Sequence, residues 1–410
     1  MRVLVLGDYR QTVTVVRSLG RAGYSVTLGT DDARSSTALS RHVCRVWRYD
    51  GACPARFLDQ LEARLRAEQP EFVFTVGETP LRRLIGEAAR FEPLATFVNP
   101  DPATIARCFD KRVIYELAQG LGIPALPWRS FGDAEAWRRS AREMGFPLVV
   151  KRKDSSSQVR NRKALILRSP EALEALLAEA ASDPDAASLV LQKFGRGARH
   201  NCHIAAADGR LIAYFQQKVL RTDEPDGTGI GVAGVSVAPC AALREYCERL
   251  TRSLAYTGIG CIQFLVDERT GSVALLEFNA RMDSTAALPY RLGYDFPRLA
   301  VELAAYARGR GPCPAGLSQP YPAGRAYHWL YGDLHAWVDC ARRGRIGLPR
   351  LAAWGLHMLW AASSSYHLTW ELRDPLPTLH AFWKKFALTP ARRLPPGPKI
   401  RPGVVTAGRK

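Results

Sequence analysis

The sequence predicts an α/β domain followed by an α+β domain, and two observations carry this prediction. The first hundred residues alternate short apolar runs with amphipathic stretches, the pattern of parallel strands covered by helices. Farther along, strand-like segments follow one another with helices between them, which is typical of antiparallel sheets in α+β domains. A length of 410 residues fits two or three domains, each with its own core.

Composition excludes several classes of protein. Hydrophobic residues make up 47% of the chain, too many for a disordered protein. The sequence contains no uninterrupted run of about 18 apolar residues, the length that would indicate a membrane span. The nine cysteines are scattered without a C-x-x-C pair, which argues against a disulfide framework or a zinc ribbon. The N-terminus runs directly into a strand-like segment rather than a signal sequence, so we expect a cytoplasmic protein.

The N-terminal domain is predicted over residues 1–102. Strands are predicted at 3–6, 25–28, 43–47, 72–76 and 96–98, and helices at 12–21, 54–68 and 80–91. Ligands of parallel sheets bind beyond the carboxyl ends of the strands, where Gly7 and Asp8 lie, although no G-x-G-x-x-G follows them. Two prolines within residues 99–102 disfavour helix and strand and mark the boundary.

The following two hundred residues form the predicted α+β part, which ends at the Gly- and Pro-rich stretch 309–316. Helices are predicted at 103–120, from 169 onward, at 240–255 and at 295–308. Strands are predicted at 146–151, 164–167, 188–192, 201–206, 210–217, 234–237, 261–266 and 273–277.

The last two of these strands form a predicted hairpin that carries the most informative polar residues. Period-2 alternation puts Glu277, Asn279 and Arg281 on one face, and Gln263 on the partner strand can face the same cavity. Carboxylate and amide oxygens suit Mg²⁺ carrying a nucleotide, and a guanidinium suits a phosphoryl or acyl-phosphate oxygen. The alternative interpretation is a half-exposed hairpin with an ordinary polar face.

This set of residues resembles a known family. The spacing of 14 residues from the Gln to the Glu and 16 to the Asn, followed by the Arg, resembles the ATP-grasp superfamily of the carboxylate–amine ligase type. Within it, the motifs are most similar to the ATP-binding halves of carbamoyl phosphate synthetase. The similarity covers residues 1–310, weakly at first and strongly over 255–307.

The resemblance implies a domain layout. Residues 1–102 would be a Rossmann-like pre-ATP-grasp domain that helps to form the acceptor pocket. Residues 103–310 would be the ATP-grasp domain, with lobes at 103–187 and 188–310. Residues 318–410 lie outside the resemblance and are predicted to be a helical, aromatic-rich and basic C-terminal extension.

The resemblance also implies a metal set and two cofactors, ATP and two Mg²⁺ ions. Glu277 would bridge the two ions, with Gln263 on one and Asn279 on the other. Arg281 would steady the transferring phosphoryl group. Lys111 and Lys151 would contact the nucleotide phosphates. The candidate catalytic residues are Arg281 and Lys151.

Further ATP contacts are implied along two segments. The strand-like run before residue 197 resembles the hinge that reads adenine, and its candidates are Gln192, Lys193 and Phe194. The acid that commonly grips the ribose in this family has no counterpart here. In place of a Gly-rich phosphate lid the chain has Ser155, Ser156 and Ser157, whose hydroxyls and amides can donate to phosphate. The alternative for this stretch is a disordered loop.

The acceptor side is indicated less directly. Residues 229–234 match G-x-G-x-x-G, but a strand rather than a helix is predicted after them, so we interpret them as a flexible loop near the acceptor. Lys218 and Arg221, just before this loop, are candidate substrate contacts. The predicted function is an ATP-dependent ligase that forms an acyl phosphate and joins it to an amine or a thiol. Alternatives are a carbamoyl-phosphate-type carboxylate kinase and a non-catalytic ATP-binding protein.

The C-terminal hundred residues hold much of the excess positive charge. Residues 311–410 contain 14 Lys and Arg against 4 Asp and Glu, together with six of the nine Trp. The preferred interpretation is a helical domain packed on the core with a solvated basic tail. The alternative is a segment that binds peripherally to an anionic membrane through its aromatic rings and cations. Nucleic acid is not expected, because no recognised binding fold accompanies the charge.

Overall fold

Five short strands near the N-terminus form a parallel sheet, which confirms the α/β prediction for this region. The computed structural model describes residues 1–155 and 157–387. The strands are β1 (Arg2–Leu6), β2 (Ser25–Thr30), β3 (Arg45–Arg48), β4 (Phe72–Thr75) and β5 (Thr96–Phe97), in the order β3-β2-β1-β4-β5. The helices between them are α1 (Thr12–Arg21), α2 (Pro54–Glu68), α3 (Glu78–Ile85) and α4 (Ala88–Phe91).

The order of the strands creates a crevice at the carboxyl edge of this sheet. β1 and β4 are neighbours, and the chain leaves them toward opposite sides of the sheet. Arg10 follows β1 and Glu78 follows β4. Arg10 Nη2 donates to Ser284 Oγ at 2.7 Å, and Glu78 Oε2 lies 3.7 Å from Arg281 Nη2. The edge at which parallel sheets bind ligands therefore faces the polar hairpin.

A small antiparallel sheet follows in the chain. Its strands are β6 (Trp128–Ser130), β7 (Leu148–Arg152), β8 (Leu165–Leu167) and β9 (Leu189–Lys193), in the order β6-β9-β7-β8. The helices of this region are α5 (Pro102–Phe109), α6 (Lys111–Gly120), α7 (Ala134–Met144) and α8 (Pro170–Ala180).

The single helix expected over 103–120 is wrong. Asp110 has an extended backbone with φ −97° and ψ 107°, so it separates α5 from α6. Its side chain accepts a hydrogen bond from the backbone N–H of Arg112 and caps α6. An amphipathic period runs through both helices, which is why the sequence pattern does not reveal the break.

A seven-stranded sheet forms the centre of the molecule. Its order is β14-β13-β10-β11-β12-β15-β16, and all neighbours are antiparallel except the last pair. In chain order, the first five strands of this sheet are β10 (Ala198–Ala207), β11 (Arg210–Thr222), β12 (Gly231–Ser236), β13 (Gly258–Asp267) and β14 (Ser272–Asn279). The accompanying helices are α9 (Ala241–Ser253), α10 (Ala287–Arg291) and α11 (Phe296–Ala307).

The two faces of this sheet pack against different partners, as the two-residue period of strands requires. Ala205, Phe215 and Ile259 belong to a core shared with the N-terminal domain and α11. Cys202 and Ile204 belong to a second core, with α6 and α9. Burial on both faces fixes the register, because a slip by one residue would exchange the two cores.

The C-terminal segment completes the large sheet. Its elements are β15 (Ala326–His328), α12 (Leu330–Arg343), α13 (Leu348–Ser364), β16 (Tyr366–His367) and α14 (Leu376–Ala387). β15 pairs with β12, and β16 pairs with β15. The segment is mainly helical, and the sequence prediction did not include these two strands, since they are too short to show a periodic pattern. Residues 388–410, which hold most of the basic tail, lie outside the described residues.

A buried ion pair joins this segment to the N-terminal domain. Arg17 Nε donates to Asp374 Oδ2 at 2.8 Å, and the two side chains are only 3% and 2% exposed. Asp374 also accepts from the hydroxyl of Ser40 and the backbone N–H of Arg41. The carboxylate thus satisfies three donors from a different part of the chain.

The glycine-rich run 229–234 is mostly strand, so its interpretation as a flexible loop is wrong. Residues from Gly231 onward form β12 between β11 and β15. A side chain at Gly234 would begin 2.4 Å from the Tyr327 ring and 2.5 Å from the carbonyl oxygen of Lys218. Glycine is required there for the close approach of β15. Within 1–155 and 157–387, no helix has the length and apolar character needed to cross a bilayer.

Candidate active site

The polar hairpin residues lie together, with Gln263 directly opposite Glu277 in the ladder between β13 and β14. The same row continues through Asn201 of β10 to Gln217 of β11. Four polar side chains therefore cross four adjacent strands on one face. Gln263 and Glu277 were predicted to face the same cavity, whereas Asn201 and Gln217 were not, because register between distant strands is not visible in a sequence.

Glu277 is at the centre of the cluster. Its Oε2 accepts from Ser155 Oγ at 2.9 Å and lies 3.6 Å from Lys111 Nζ, while its Oε1 accepts from Asn279 Nδ2 at 2.8 Å. Desolvation raises the pKa of Glu277, but the charge of Lys111, the hydrogen bond from Asn279 and the charge of Arg281 together lower it to about 2. The carboxylate is therefore ionised at neutral pH and available to a cation.

Arg281 links the hairpin to the N-terminal domain. Its Nη2 donates to Asn279 Oδ1 at 3.2 Å and lies 3.7 Å from Glu78 Oε2. Glu78 in turn accepts two hydrogen bonds from Arg82, at 3.0 and 2.9 Å. The Nε of Arg281 is buried and has no hydrogen-bond partner among the described residues. The Nε–H donor of Arg281 therefore remains unused beside the carboxylate cluster.

The two predicted phosphate-binding lysines are both buried. Lys111 begins α6 and donates to Ser155 Oγ at 2.9 Å. Lys151 lies in β7 and donates to Tyr115 OH at 2.7 Å and to Gln192 Oε1 at 2.9 Å. Both of these acceptors are neutral, and burial lowers the pKa of Lys151 to about 8, against the opposing effect of Glu277. Such a cation is suited to an anionic ligand.

The serine-rich turn lies over the cluster. Ser155 contacts both Lys111 and Glu277, and its backbone oxygen accepts from Lys163 Nζ. The backbone N–H of Ser157 donates to Asp154 Oδ1 at 2.8 Å. Ser156, also a candidate ATP contact, lies outside the described residues.

The predicted adenine hinge is partly engaged in contacts within the protein. Gln192 lies in the site through its contact with Lys151. The backbone N–H groups of Lys193 and Phe194 instead donate to the carbonyl oxygens of Pro127 and Pro147, at 2.8 and 3.2 Å. These two N–H groups are therefore occupied, and the role of the hinge in reading adenine stays a prediction. Lys193 Nζ donates to the carbonyl oxygen of Gly145 at 2.9 Å.

The two candidate substrate cations lie apart from the cluster. Lys218 follows Gln217 in β11, so its side chain emerges on the opposite face of the sheet, where it pairs with Glu268. Arg221 makes a two-point contact with Asp333 of α12, a carboxylate that also accepts from Trp354. Arg221 therefore holds the C-terminal helices in place, and neither cation is brought to Glu277.

Two residues of the site were missed although the sequence carried a signal for each. Tyr115 lies four residues after Lys111, one helical turn away on the same face of α6. Glu78 is the third residue after β4, at the edge of the parallel sheet where a ligand is expected.

The chain is similar to known proteins over the region that holds this cluster. Residues 110–308 match the family model described as the ATP-binding domain of the carbamoyl-phosphate synthase L chain. The chain is 26% identical over 196 residues to a chloroplastic biotin carboxylase of Arabidopsis thaliana, covering 45% of this chain and 36% of that protein. It is 29% identical over 236 residues to the carbamoyl phosphate synthase large chain of Thermus thermophilus, covering 56% and 22%.

Solved structures show the same fold. The biotin carboxylase domain dimer of the Hydrogenobacter thermophilus 2-oxoglutarate carboxylase, in complex with MgADP, ADP and bicarbonate, aligns with a TM-score of 0.63 at 16% identity, covering 79% of this chain and 73% of that one. N5-carboxyaminoimidazole synthetase from Staphylococcus aureus aligns with a TM-score of 0.58 at 12% identity, covering 74% and 77%.

These matches confirm the resemblance found in the sequence. Residues 110–308 are similar to the ATP-binding domain of carbamoyl phosphate synthase, the same relatives that the sequence motifs resemble. The chain corresponds to about a third of the length of the plant biotin carboxylase and about a fifth of the synthase large chain.

Proposed function

We propose that the protein is an ATP-dependent ligase that activates a carboxylate as an acyl phosphate and joins it to an amine or a thiol. The observation that carries the proposal is the ionised Glu277, which lies between Lys111, Asn279 and Arg281 in an ATP-grasp domain. The relatives support the same chemistry, since their names describe carboxylases and synthases that carry this domain.

Mg²⁺ and ATP fit the residues present. Glu277 supplies a charged oxygen, and the amides of Gln263 and Asn279 supply neutral ones, which is the hard donor set that Mg²⁺ prefers. We propose that Glu277, Gln263 and Asn279 would hold two Mg²⁺ ions. Bound Mg²⁺ would neutralise phosphate charge, and the buried Lys111 and Lys151 would contact the phosphates.

The chain's own residues position the reacting groups. Arg281, with one guanidinium donor free, would hold the phosphoryl group during its transfer from ATP to a carboxylate oxygen. That step breaks the bond between the β- and γ-phosphates and releases ADP. An amine then attacks the acyl carbon, phosphate leaves, and one proton is released, so an amide is formed. The serine-rich turn over Glu277 would exclude water from the acyl phosphate.

The proposal is tested by incubating the protein with ATP, Mg²⁺, hydroxylamine and a panel of carboxylates while following ADP and hydroxamate. We expect ADP formation that depends on one carboxylate and falls at least about a hundredfold in Glu277→Gln. Glu245→Gln is the matched control, because Glu245 is exposed and pairs only with Arg249 on α9. Absence of Mg·ATP binding, or unchanged turnover in Glu277→Gln, contradicts the proposal.

A carbamoyl-phosphate-type kinase is the second candidate. It is favoured by the similarity to carbamoyl phosphate synthase and to a carboxylase domain solved with bicarbonate. ADP formation that depends on bicarbonate, without formation of a hydroxamate, would support this kinase activity.

A non-catalytic ATP-binding protein is the third candidate. It is favoured because the acidic residue that binds the ribose in this family has no counterpart here, and because two backbone N–H groups of the hinge are occupied. Mg·ATP binding without ADP formation would select that function.

The domain layout is part of the proposal. Residues 1–102 would contribute the acceptor side of the site, supported by the contacts of Arg10 and Glu78 with the hairpin region. Residues 103–187 and 188–310 would close on ATP as two lobes, and residues 318–410 would be a C-terminal extension beyond the region that the family model matches.

We also infer that the extension contacts an anionic membrane surface. On α13 the side chains of Leu356, Leu359 and Trp360 are 70%, 69% and 61% exposed and share one face of the helix, while Trp354 and Met358 are buried on the other. Beyond α14, residues 388–410 add six cations and no acid. An apolar helix face and a basic stretch of sequence in the same segment are together complementary to anionic lipid.

Vesicle flotation of the full chain tests this inference. We expect binding to vesicles that contain phosphatidylserine, less binding to neutral vesicles, and loss of binding in Leu356→Ser/Trp360→Ser. A matched pair of changes on another exposed helix, Glu245→Ser/Arg249→Ser, should bind as the wild type does. Recovery only in the soluble fraction rejects the inference, as does self-association that masks the same face in size-exclusion chromatography.

A further inference from the structure

A recess lined by two arginines lies where three parts of the chain meet. Arg10 comes from the loop after β1, Arg199 from β10 and Tyr327 from β15. A side chain at Gly231 would begin 3.1 Å from Tyr327 OH and 3.5 Å from Arg199 Nη2, and Arg10 Nη1 donates to the Gly231 carbonyl oxygen at 3.0 Å. The three polar groups therefore converge on Gly231, where Val219 Cγ1 would also lie 3.3 Å from an added side chain.

Neither arginine has an acidic partner. Arg10 donates to the Gly231 carbonyl and to Ser284 Oγ and stacks 4.3 Å from the Trp329 ring. Arg199 donates to the carbonyl oxygen of Gly229 at 2.9 Å. All of these partners are neutral. Across the part of the chain that the structure describes, no ion pair within 4.0 Å involves either guanidinium.

Donors in the recess are also left unused. The Nε atoms of Arg10 and Arg199 and the hydroxyl of Tyr327 are buried without a hydrogen-bond partner in the described ranges. Tyr327 is 1% exposed, so its hydroxyl is cut off from bulk water. Buried donors without partners are rare and costly, and they indicate a ligand that the site is built to hold.

Both positive and negative charges act on Arg10. Burial lowers the pKa of Arg10 to about 10, and the nearby charge of Arg199 acts in the same direction. The acids whose charge reaches Arg10 are Asp283 and Asp223. Each already accepts a backbone hydrogen bond, from Thr285 and Ile230 respectively. Two guanidinium groups and a hydroxyl are a donor set that suits an oxyanion.

We propose that Arg10, Arg199 and Tyr327 bind an oxyanion group of the acceptor substrate, a carboxylate or a phosphate ester, distinct from the group that is activated. Ser284, the contact of Arg10, lies three residues after Arg281, so the recess adjoins the site of phosphoryl transfer without coinciding with it. The acceptor is thus a small molecule with an anionic anchor in addition to its reacting group. The assignment to an acceptor rests on the proposed function, whereas oxyanion binding does not.

Anion binding to the full chain tests the proposal directly, in the presence of MgADP and at constant ionic strength. The probes are succinate, L-glutamate and glycerol 3-phosphate, with acetate as the small reference, and the measurement is isothermal titration calorimetry. We expect one of the three to bind, and its affinity to fall about tenfold or more in Arg10→Gln and in Arg199→Gln. Tyr327→Phe, which removes only the hydroxyl, should lose about threefold. The carboxylate and phosphate probes distinguish the two kinds of anchor.

Arg269→Gln is the matched control, since Arg269 is exposed in the turn between β13 and β14. Equal binding by wild type, Arg10→Gln and Arg199→Gln overturns the proposal, and so does failure of every probe to bind the wild type. MgADP affinity is measured on each variant, and a folded variant should keep it. If the wild type fails to bind nucleotide, the ligase assignment is overturned. Anion binding, measured separately, then still decides whether the recess binds an oxyanion.

Discussion

Lys151 is a buried cation whose nearest hydrogen-bond partners are the neutral Tyr115 and Gln192. Glu277 supplies the compensating charge from a distance, and it also attracts Lys111. In the unliganded protein this arrangement costs free energy, because an ammonium group is removed from water without an ion pair. A bound phosphate would offset that free-energy cost by pairing with the ammonium group. The same side chain should therefore make nucleotide binding depend on pH.

We predict that Mg·ATP affinity falls as the pH rises above about 8. The pKa of Lys151 is lowered from its usual range to about 8, so above that pH the folded protein loses the proton that attracts phosphate. Affinity should fall about tenfold per pH unit there. Stability changes in the opposite sense: the cost of burying the charge is present below the folded pKa and is relieved as the pH rises from about 8 toward the unfolded value.

Calorimetry between pH 7 and 9.5 checks this prediction, with Lys151→Arg as the comparison. Arginine keeps its charge throughout this range, so its affinity for Mg·ATP should be nearly independent of pH. If wild type and Lys151→Arg lose affinity in parallel, the pH dependence comes from another group.

At the scale of elements, the start of α6 positions Lys111. Asp110 accepts from the backbone N–H of Arg112 at 2.9 Å and holds its guanidinium as well. The backbone N–H of Lys111 donates to the carbonyl oxygen of Lys153, next to the serine-rich turn. The break between α5 and α6, which the sequence pattern does not show, thus sets the place of the lysine.

We predict that Asp110→Ala costs about 1 kcal/mol of stability through loss of the cap and also weakens Mg·ATP binding several-fold. Asp133→Ala is the matched control. Asp133 caps α7 through the backbone N–H of Ala136 at 2.7 Å, away from the cluster. The two variants should lose similar stability in denaturant titrations, but only Asp110→Ala should lose nucleotide affinity. Equal affinities would show that the cap has no role in placing Lys111.

The elements that the sequence predicted well are those with a local signal. The bounds of α1 and α2 agree with the periodic pattern, and a proline at the first position marks the start of α2. β15 and β16 were missed because strands of three and two residues carry no period and are defined only by pairing with distant strands. The polar hairpin was found because its spacing is local.

Contacts between distant parts of the chain could not be predicted. Arg10 and Tyr327 meet only after three segments have packed together, and neither residue has a distinctive neighbourhood in the sequence. Lys218 shows that closeness in sequence can also mislead. A substrate role was predicted for it because it lies just before the glycine-rich run. The two-residue period of β11 places it on the face opposite Gln217. Register, more than composition, decides which cations line the site.

At the scale of the whole molecule, the C-terminal segment holds the N-terminal domain and the large sheet together. β15 and β16 extend the sheet, and Asp374 binds Arg17 of α1. Glu371 contacts Arg21 of the same helix. The recess of Arg10, Arg199 and Tyr327 exists only when all three parts are assembled. Loss of the anchor at Asp374 should therefore affect stability and the recess together.

We predict that Asp374→Ala destabilises the protein by about 3–5 kcal/mol, because it leaves the guanidinium of Arg17 buried without its partner. The control is Asp339→Ala, which removes the ion pairs of this residue with Arg343 and Arg345 near the surface and should change stability by less than about 1 kcal/mol. Denaturant unfolding gives both values. Proteolysis should cleave Asp374→Ala first within 318–387, and anion binding to the recess should weaken while MgADP binding is retained. A small loss of stability with unchanged cleavage would mean that the strand pairing alone keeps the segment in place.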